Sequence, residues 1–139
     1  MRLAMTMSLP LQPASVTRAR NVLNTLLSLT DVTDESRGHL AILITEACAN
    51  AVIHAPDGTV DITITIDDAV CVVEVGNGGT NPNGTNIPTE LPDPLTVGGR
   101  GLPLIAALAD TAAFIPAPPG RVLLRMTKQL ALRPAATDR

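Results

Sequence analysis

The sequence predicts an α+β fold, a two-layer sandwich in which helices pack on one face of a mainly antiparallel mixed sheet. Three observations favour this class. Segments with two-residue apolar alternation occur near the start, in the middle and near the end of the chain. Segments with helical spacing lie between them, and a long Gly-, Pro- and Asn-rich stretch divides the chain. The predicted order, β-α-α-β-β-loop-α-β-β, partly segregates helices from strands, which is typical of α+β proteins.

The first strand and the first helix are bounded by prolines. Residues 3–9 alternate as a short strand does, and Pro10 and Pro13 end it. Ser15 is predicted to cap a helix that runs to about Leu29. One face of this helix is apolar and comprises Val16, Ala19, Leu23, Leu26 and Leu27.

A second helix is predicted after the turn-rich residues 29–38. Thr33 or Asp34 can cap this helix, and Glu35 places negative charge in its first turn, where the helix dipole favours it. We expect the helix to end before Pro56, because the residue that precedes a proline disfavours helical backbone.

The middle of the chain is predicted to form a β-hairpin. Residues 59–66 alternate cleanly between apolar and polar side chains, which indicates a strand with one buried face. Asp67 and Asp68 provide a tight connection. Residues 69–75 are apolar on nearly both faces, which predicts a central strand. The following residues, 76–99, form a long loop, and such loops are usually functional lids or disordered.

The C-terminal part adds one helix and two strands. The helix is predicted over residues 101–110, and the strands over residues 111–116 and 121–130. We expect a single domain over residues 1–132 and a frayed tail over residues 133–139.

Composition excludes several classes of function. The net charge is −3 with no evident basic face, which argues against direct binding of nucleic acid. One Phe and no Trp or Tyr nearly exclude base stacking on aromatic side chains. No apolar run approaches the roughly 20 residues of a membrane span, and no signal peptide is evident. We therefore expect a cytoplasmic protein without a membrane partner, with Cys48 and Cys71 reduced and packed in the core.

The second predicted helix carries a polar stripe in aliphatic surroundings. Glu46, Asn50 and His54 recur every four residues and therefore lie along one side of the helix. The residues leave two readings open. The stripe is either an exposed helix edge or a site in which the carboxylate acts as a base and the amide oxygen binds a hard cation such as Mg²⁺. We interpret His54 as the end of the helix, where the dipole favours imidazolium.

Two glycine-rich segments favour the second reading. The segment "EVGNGGT" follows a strand and places Asn77 and Gly79 at its end, and "VGGRGLPLI" places Gly98, Gly99 and Gly101 before a helix. Backbone N–H groups at a helix N-terminus bind anions, and glycine lets a phosphate approach closely.

These segments together resemble the motifs of a known superfamily. The segment "TEACANAVIHA" resembles the N box of the histidine-kinase-like ATPase (GHKL) superfamily, "VEVGNGG" is similar to its first glycine box, and "GGRGLPLIAALAD" to its second. Within the superfamily, the short chain and the helix "SVTRARNVLNTLLSL" look most like the anti-sigma-factor serine/threonine kinases. The resemblance covers roughly residues 5–130.

The resemblance implies the histidine-kinase-like ATPase fold and an ATP site that uses Mg²⁺. It implies that Asn50 holds Mg²⁺ through its side-chain oxygen and that Glu46 is the general base for an attacking hydroxyl. Asn77 takes the place of an Asp that accepts a hydrogen bond from the adenine amino group. The full set of residues that the resemblance assigns to nucleotide binding is Asn50, Asn77, Gly79, Gly99, Arg100, Gly101 and Leu102.

Two departures from the family pattern leave two functions open. Asn77 replaces the usual Asp, which removes a charge-assisted hydrogen bond, and Arg121 stands where the family tends to have Thr. The first function is a kinase that sequesters a sigma factor and phosphorylates a Ser or Thr of an anti-anti-sigma (STAS-type) partner. The alternative is a partner-switching binding module of the same fold with weak or no kinase activity. Glu46 and Asn50 favour the kinase, Asn77 and Arg121 favour the module, and a homodimer is left open.

Overall fold

A computed structural model describes residues 2–55, 58–78, 101–117 and 119–134 of the chain. Within these residues the elements occur in the predicted order. They are β1 (Arg2–Pro10), α1 (Pro13–Leu27), α2 (Asp34–His54), β2 (Thr59–Asp67), β3 (Val70–Gly78), α3 (Gly101–Leu108), β4 (Thr111–Ala117) and β5 (Arg121–Gln129). Strand β3 continues to Gly78, into the predicted loop, and the remainder of that loop lies outside the described residues.

The strands form one sheet with the order β1-β2-β3-β5-β4. All four pairings between the described strands are antiparallel, so the parallel component that a mixed sheet implies is not found among them. The predicted α+β class is confirmed. The apolar strand β3 lies at the centre of the sheet, as predicted, and β1 and β4 form its edges.

The core lies between the helices and one face of the sheet. Alternate residues of β2 are fully buried, namely Val60, Ile62, Ile64 and Ile66. Cys48 and Cys71 are free cysteines in this core, as predicted. Burial raises the pKa of both thiols to about 12, because a thiolate would lose its hydration there. No helix in the described ranges is long and apolar enough to cross a membrane.

The two long helices begin in different ways. Thr33 caps α2, because its hydroxyl oxygen accepts a hydrogen bond from the Ser36 N–H at 3.3 Å. Helix α1 begins at Pro13, which has no N–H to leave unsatisfied in the first turn. The prediction that Ser15 caps α1 is therefore wrong. The Ser15 side chain is buried inside the helix and donates to the Pro10 carbonyl at 2.6 Å.

The segment after β5 is tied to the start of α2. The Arg133 N–H donates to the Asp31 carbonyl at 2.6 Å, and its guanidinium donates to the Asp34 carboxylate at 2.9 Å. The Ala131 N–H donates to the Ser36 hydroxyl at 2.9 Å. These bonds fix the N-terminal end of α2 and leave its C-terminal half, which carries the polar stripe, at the other end of the helix. The single domain over residues 1–132 stays a prediction, and residues 135–139 lie outside the described residues.

Candidate functional site

The polar stripe lies at the margin of the helical layer. Glu46 and Asn50 are half-buried and one helical turn apart, while Ala47 and Ala51 beside them are buried in the core. Neither polar side chain makes a hydrogen bond within the part of the chain that the structure describes. The carboxylate and the amide are therefore available to a ligand. His54 is the last residue of α2 and is exposed, which agrees with its interpretation as the end of the helix.

The first residue of α3 lies directly against the Glu46 carboxylate. A Cβ atom placed on Gly101 would be 2.6 Å from Glu46 Oε2, and 3.6 Å from both Cβ and Cδ of Glu46. Only glycine fits this space without displacing the carboxylate. Pro103 and Ile105 are buried, so α3 is held in this position by its packing against the core.

This contact brings a carboxylate, an amide oxygen and a helix N-terminus into one region. The first backbone N–H groups of a helix have no acceptor within the helix, and the positive end of the helix dipole attracts anions. The oxygens of Glu46 and Asn50 are hard donors, which suit Mg²⁺ together with phosphate oxygens. The chemistry of this donor set, two side-chain oxygens beside a helix N-terminus that lies against them, fits a magnesium nucleotide.

Asn77 lies near the end of β3 on the inner face of the sheet. It pairs with the buried Val122 of β5, and its own side chain is half-buried. Its Nδ2 donates to the Gly78 carbonyl at 2.7 Å. This bond engages the amine of the side chain, so the amide oxygen remains to accept a hydrogen bond from a ligand.

Arg121 belongs to the opposite face of the sheet. Its guanidinium contacts the Asp61 carboxylate at 2.5 Å, and Asp61 also accepts hydrogen bonds from Ser8 at 2.6 Å and from Thr59 at 3.0 Å. Asp61 lies between two buried residues of β2 and therefore faces away from the helices. Arg121 and Asn77, the two departures from the family pattern, therefore lie on opposite faces of the sheet.

The other predicted site residues divide into two groups. Gly101 and Leu102 open α3, and Leu102 packs partly against the core. Gly79, Gly99 and Arg100 lie outside the described residues. The contact between Gly101 and Glu46 was not predicted from the sequence, because glycine before a helix is explained equally well by phosphate binding or by a turn.

Comparisons with known proteins bear on the family and the fold of the chain. A family model described as "Histidine kinase-like ATPase domain" matches residues 9–128. No curated protein sequence matches the chain. The structure of the RsbU and RsbW domains of Rv1364c from Mycobacterium tuberculosis has a TM-score of 0.71 at 18% identity, covering 99% of this chain and 35% of that one. The SiaB–SiaC complex from Pseudomonas aeruginosa has a TM-score of 0.66 at 16% identity, covering 91% and 89%.

These identities establish similarity of fold. The present chain spans about a third of the length of the Mycobacterium tuberculosis chain.

Proposed function

The chain belongs to the histidine kinase-like ATPase family, and on that premise we propose that it is an ATP-binding anti-sigma factor with serine/threonine kinase activity. In this proposal it acts in the cytoplasm, sequesters a sigma factor and phosphorylates an anti-anti-sigma partner of the STAS type. The observation that carries the proposal is the packing of Gly101 against the Glu46 carboxylate, with Asn50 one turn along the same helix.

Each residue of the site has a role in this proposal. Glu46 accepts the proton of the attacking hydroxyl, which requires a carboxylate within hydrogen-bonding reach of that group. Asn50 holds Mg²⁺ through Oδ1. The N-terminus of α3 at Gly101 and Leu102, with Gly79, Gly99 and Arg100 proposed from the sequence, contacts the phosphates. When bound, ATP supplies the transferred phosphoryl group and Mg²⁺ neutralises charge on its oxygens.

Adenine recognition is assigned to Asn77. Its side-chain oxygen accepts from the adenine amino group, because the Nδ2 end is occupied by the Gly78 carbonyl. A guanine base presents an oxygen at the corresponding position and would need the amine instead. This geometry supports ATP over GTP.

The assignment of a protein partner has separate support. The SiaB–SiaC structure is a complex of two proteins, and its fold is similar to that of this chain. The resemblance of the short chain and of the helix "SVTRARNVLNTLLSL" to the anti-sigma-factor kinases adds a sigma factor as the second partner.

The nucleotide site is tested by Asn50→Ala. We expect the wild-type chain to bind ATP more tightly with Mg²⁺ than without it, and Asn50→Ala to lose most of that difference. The substitution removes the oxygen ligand but leaves the helix intact, because Ala is the better helix former. Isothermal titration calorimetry with and without Mg²⁺ measures this. Asn21→Ala, at an exposed position of α1, is the matched control, and an absence of ATP binding at millimolar concentration would contradict the proposal.

The binding-module alternative rests on Asn77, and Asn77→Asp separates the two functions. A carboxylate would accept from the adenine amino group with charge assistance, which roughly doubles the strength of a neutral hydrogen bond. Loss of the bond to Gly78 offsets part of this gain. We expect ATP affinity to rise about threefold and kinase activity to rise with it, while GTP affinity does not increase. Paired calorimetric titrations measure both, and unchanged or weaker ATP binding would favour the binding module.

A further inference from the structure

Strand β3 loses one of its two neighbouring strands at the end that carries Asn77. Its register with β2 ends at the pair Asp61–Gly76. Its register with β5 continues for two more residues, to the pair Gly78–Arg121. Among the described residues, the last two residues of β3 therefore pair with a strand on one side only. A strand end with fewer backbone hydrogen bonds opens more easily than the middle of the strand.

An ion pair crosses β3 at the point where the pairing with β2 stops. Arg121 of β5 and Asp61 of β2 lie on the two strands that flank β3, and Arg121 Nη2 is 2.5 Å from Asp61 Oδ2. Both side chains lie on the outer face of the sheet, away from the helices. The residues of β3 that pair with them are Gly76 and Gly78, so no side chain of β3 stands between the guanidinium and the carboxylate.

The Asp61 carboxylate is itself oriented by two hydroxyl groups. Ser8 of β1 and Thr59 of β2 donate to its other oxygen, Oδ1, at 2.6 Å and 3.0 Å. An isolated ion pair between side chains that are 38% and 42% exposed stabilises a protein only slightly. Because this carboxylate is already held by hydroxyl groups, the ion pair restrains the position of β5 relative to β2 even where it adds little to the overall stability.

We propose that Arg121 is a positioning residue for base recognition, which acts by holding the end of β3 in the geometry that the nucleotide base meets. Asn77 lies on the inner face of the same strand end that the ion pair crosses on the outer face. Its Nδ2 donates to the Gly78 carbonyl at 2.7 Å, and Gly78 is the residue that pairs with Arg121. The orientation of the Asn77 amide therefore depends on the backbone that Arg121 holds.

This inference rests on the proposed function, because it takes Asn77 as the residue that contacts the base. Without the ion pair, the end of β3 would have to be ordered when the base binds, and this cost would weaken binding. The phosphates are assigned to α2 and α3, where Gly101 packs against Glu46 without any contact from β2 or β5. Loss of the ion pair should therefore weaken binding of ATP but not binding of a ligand that has phosphates and no base.

Arg121→Met tests this expectation, because methionine keeps an unbranched side chain and removes the positive charge. We expect the Kd for ATP with Mg²⁺ to rise about threefold, the scale of a partly exposed ion pair. The Kd for inorganic tripolyphosphate with Mg²⁺ should not change. Arg121→Lys, which restores the charge, should recover most of the ATP affinity. Calorimetric titration measures all three, and an unchanged ATP affinity in Arg121→Met, or an equal loss for both ligands, would overturn the proposal.

The matched control is Arg125→Met, on the same strand and the same face. Arg125 Nε donates to the Glu74 carboxylate at 2.6 Å, so the control also removes an ion pair between β5 and its neighbour. Glu74, however, lies where β3 pairs with both β2 and β5, so the strand is held there by its backbone. Arg125→Met should leave the affinity for ATP unchanged. An equal effect of the two substitutions would show that outer-face charge, rather than the position of Arg121, is responsible, and the proposal would fail.

Amide hydrogen exchange of the ligand-free chain tests the role of Arg121 without any nucleotide. We expect the amides of residues 76–78 to exchange several-fold faster in Arg121→Met than in the wild type, and at the wild-type rate in Arg125→Met. Unchanged exchange in Arg121→Met would overturn the proposal. If the wild-type chain binds no ATP, the proposed function fails, and the exchange rates alone decide whether Arg121 holds the end of β3.

Discussion

Replacing Glu46 with glutamine is expected to slow phosphoryl transfer to the anti-anti-sigma partner by about 10²–10⁴-fold, the usual cost of losing a general base. ATP affinity should hardly change. Glutamine has nearly the shape of glutamate, so it fits the same space against Gly101, and the substitution removes only the proton acceptor. The measurement is transfer of label from [γ-³²P]ATP to the partner, with calorimetric titration of ATP on the same variant.

The matched control for this substitution is Glu74→Gln. Glu74 accepts a hydrogen bond from Arg125 at 2.6 Å on the outer face of the sheet, away from the helices. Its substitution should leave transfer unchanged. A transfer rate in Glu46→Gln equal to that of the wild type would show that Glu46 is not the base.

The architecture was predictable because its signals are local. The alternation over residues 59–66 identified β2 and its buried face, and the apolar character of residues 69–75 identified the central strand. Thr33 was correctly included as a cap, because a hydroxyl three residues before a free N–H is a local pattern. Ser15 failed as a cap because Pro13 can begin a helix without any side-chain acceptor, which leaves the serine hydroxyl to bond the preceding strand.

The site was only partly predictable. Features that depend on neighbouring residues in the sequence could be predicted, and a contact between residues far apart in the sequence could not. The four-residue spacing placed Glu46 and Asn50 on one side of a helix from the sequence alone. The orientation of Arg121 could also be predicted from the sequence. Arg121 precedes the buried Val122 in a strand, so its side chain must face outward. The packing of Gly101 against Glu46 could not be predicted from the sequence, because it joins residues on different helices and depends on how α3 packs against the core.

Replacing Gly101 with alanine is expected to lower phosphoryl transfer about a hundredfold with little loss of stability. The new Cβ would lie 2.6 Å from Glu46 Oε2, the mobile end of a flexible side chain, so the carboxylate moves rather than the backbone. A misplacement of about 1 Å in a catalytic group can cost about 10²-fold in rate. Alanine also favours the helical backbone over glycine, by less than the roughly 1 kcal/mol of a helix interior because Gly101 is the first residue of α3, and this offsets part of the residual strain.

The control is the same substitution in the neighbouring helix. Gly38 lies in α2, and a Cβ atom there would have no atom within 4 Å. Gly38→Ala should raise the free energy of unfolding by up to about 1 kcal/mol and leave phosphoryl transfer unchanged. The measurements are thermal or denaturant unfolding and label transfer on both variants.

Nucleotide titration in two backgrounds then separates two roles of Gly101. If the glycine serves only to let a phosphate approach the helix, Gly101→Ala weakens ATP binding equally in the wild type and in Glu46→Ala. If Gly101 sets the position of the Glu46 carboxylate, Gly101→Ala preserves ATP affinity in both backgrounds. Only the rate of phosphoryl transfer in the wild-type background then falls. We expect the second result, because the atom that the new Cβ meets first belongs to Glu46. A Gly101→Ala variant with the wild-type rate would show that this contact does not position the carboxylate, and the assignment of Glu46 as the base would lose its structural support.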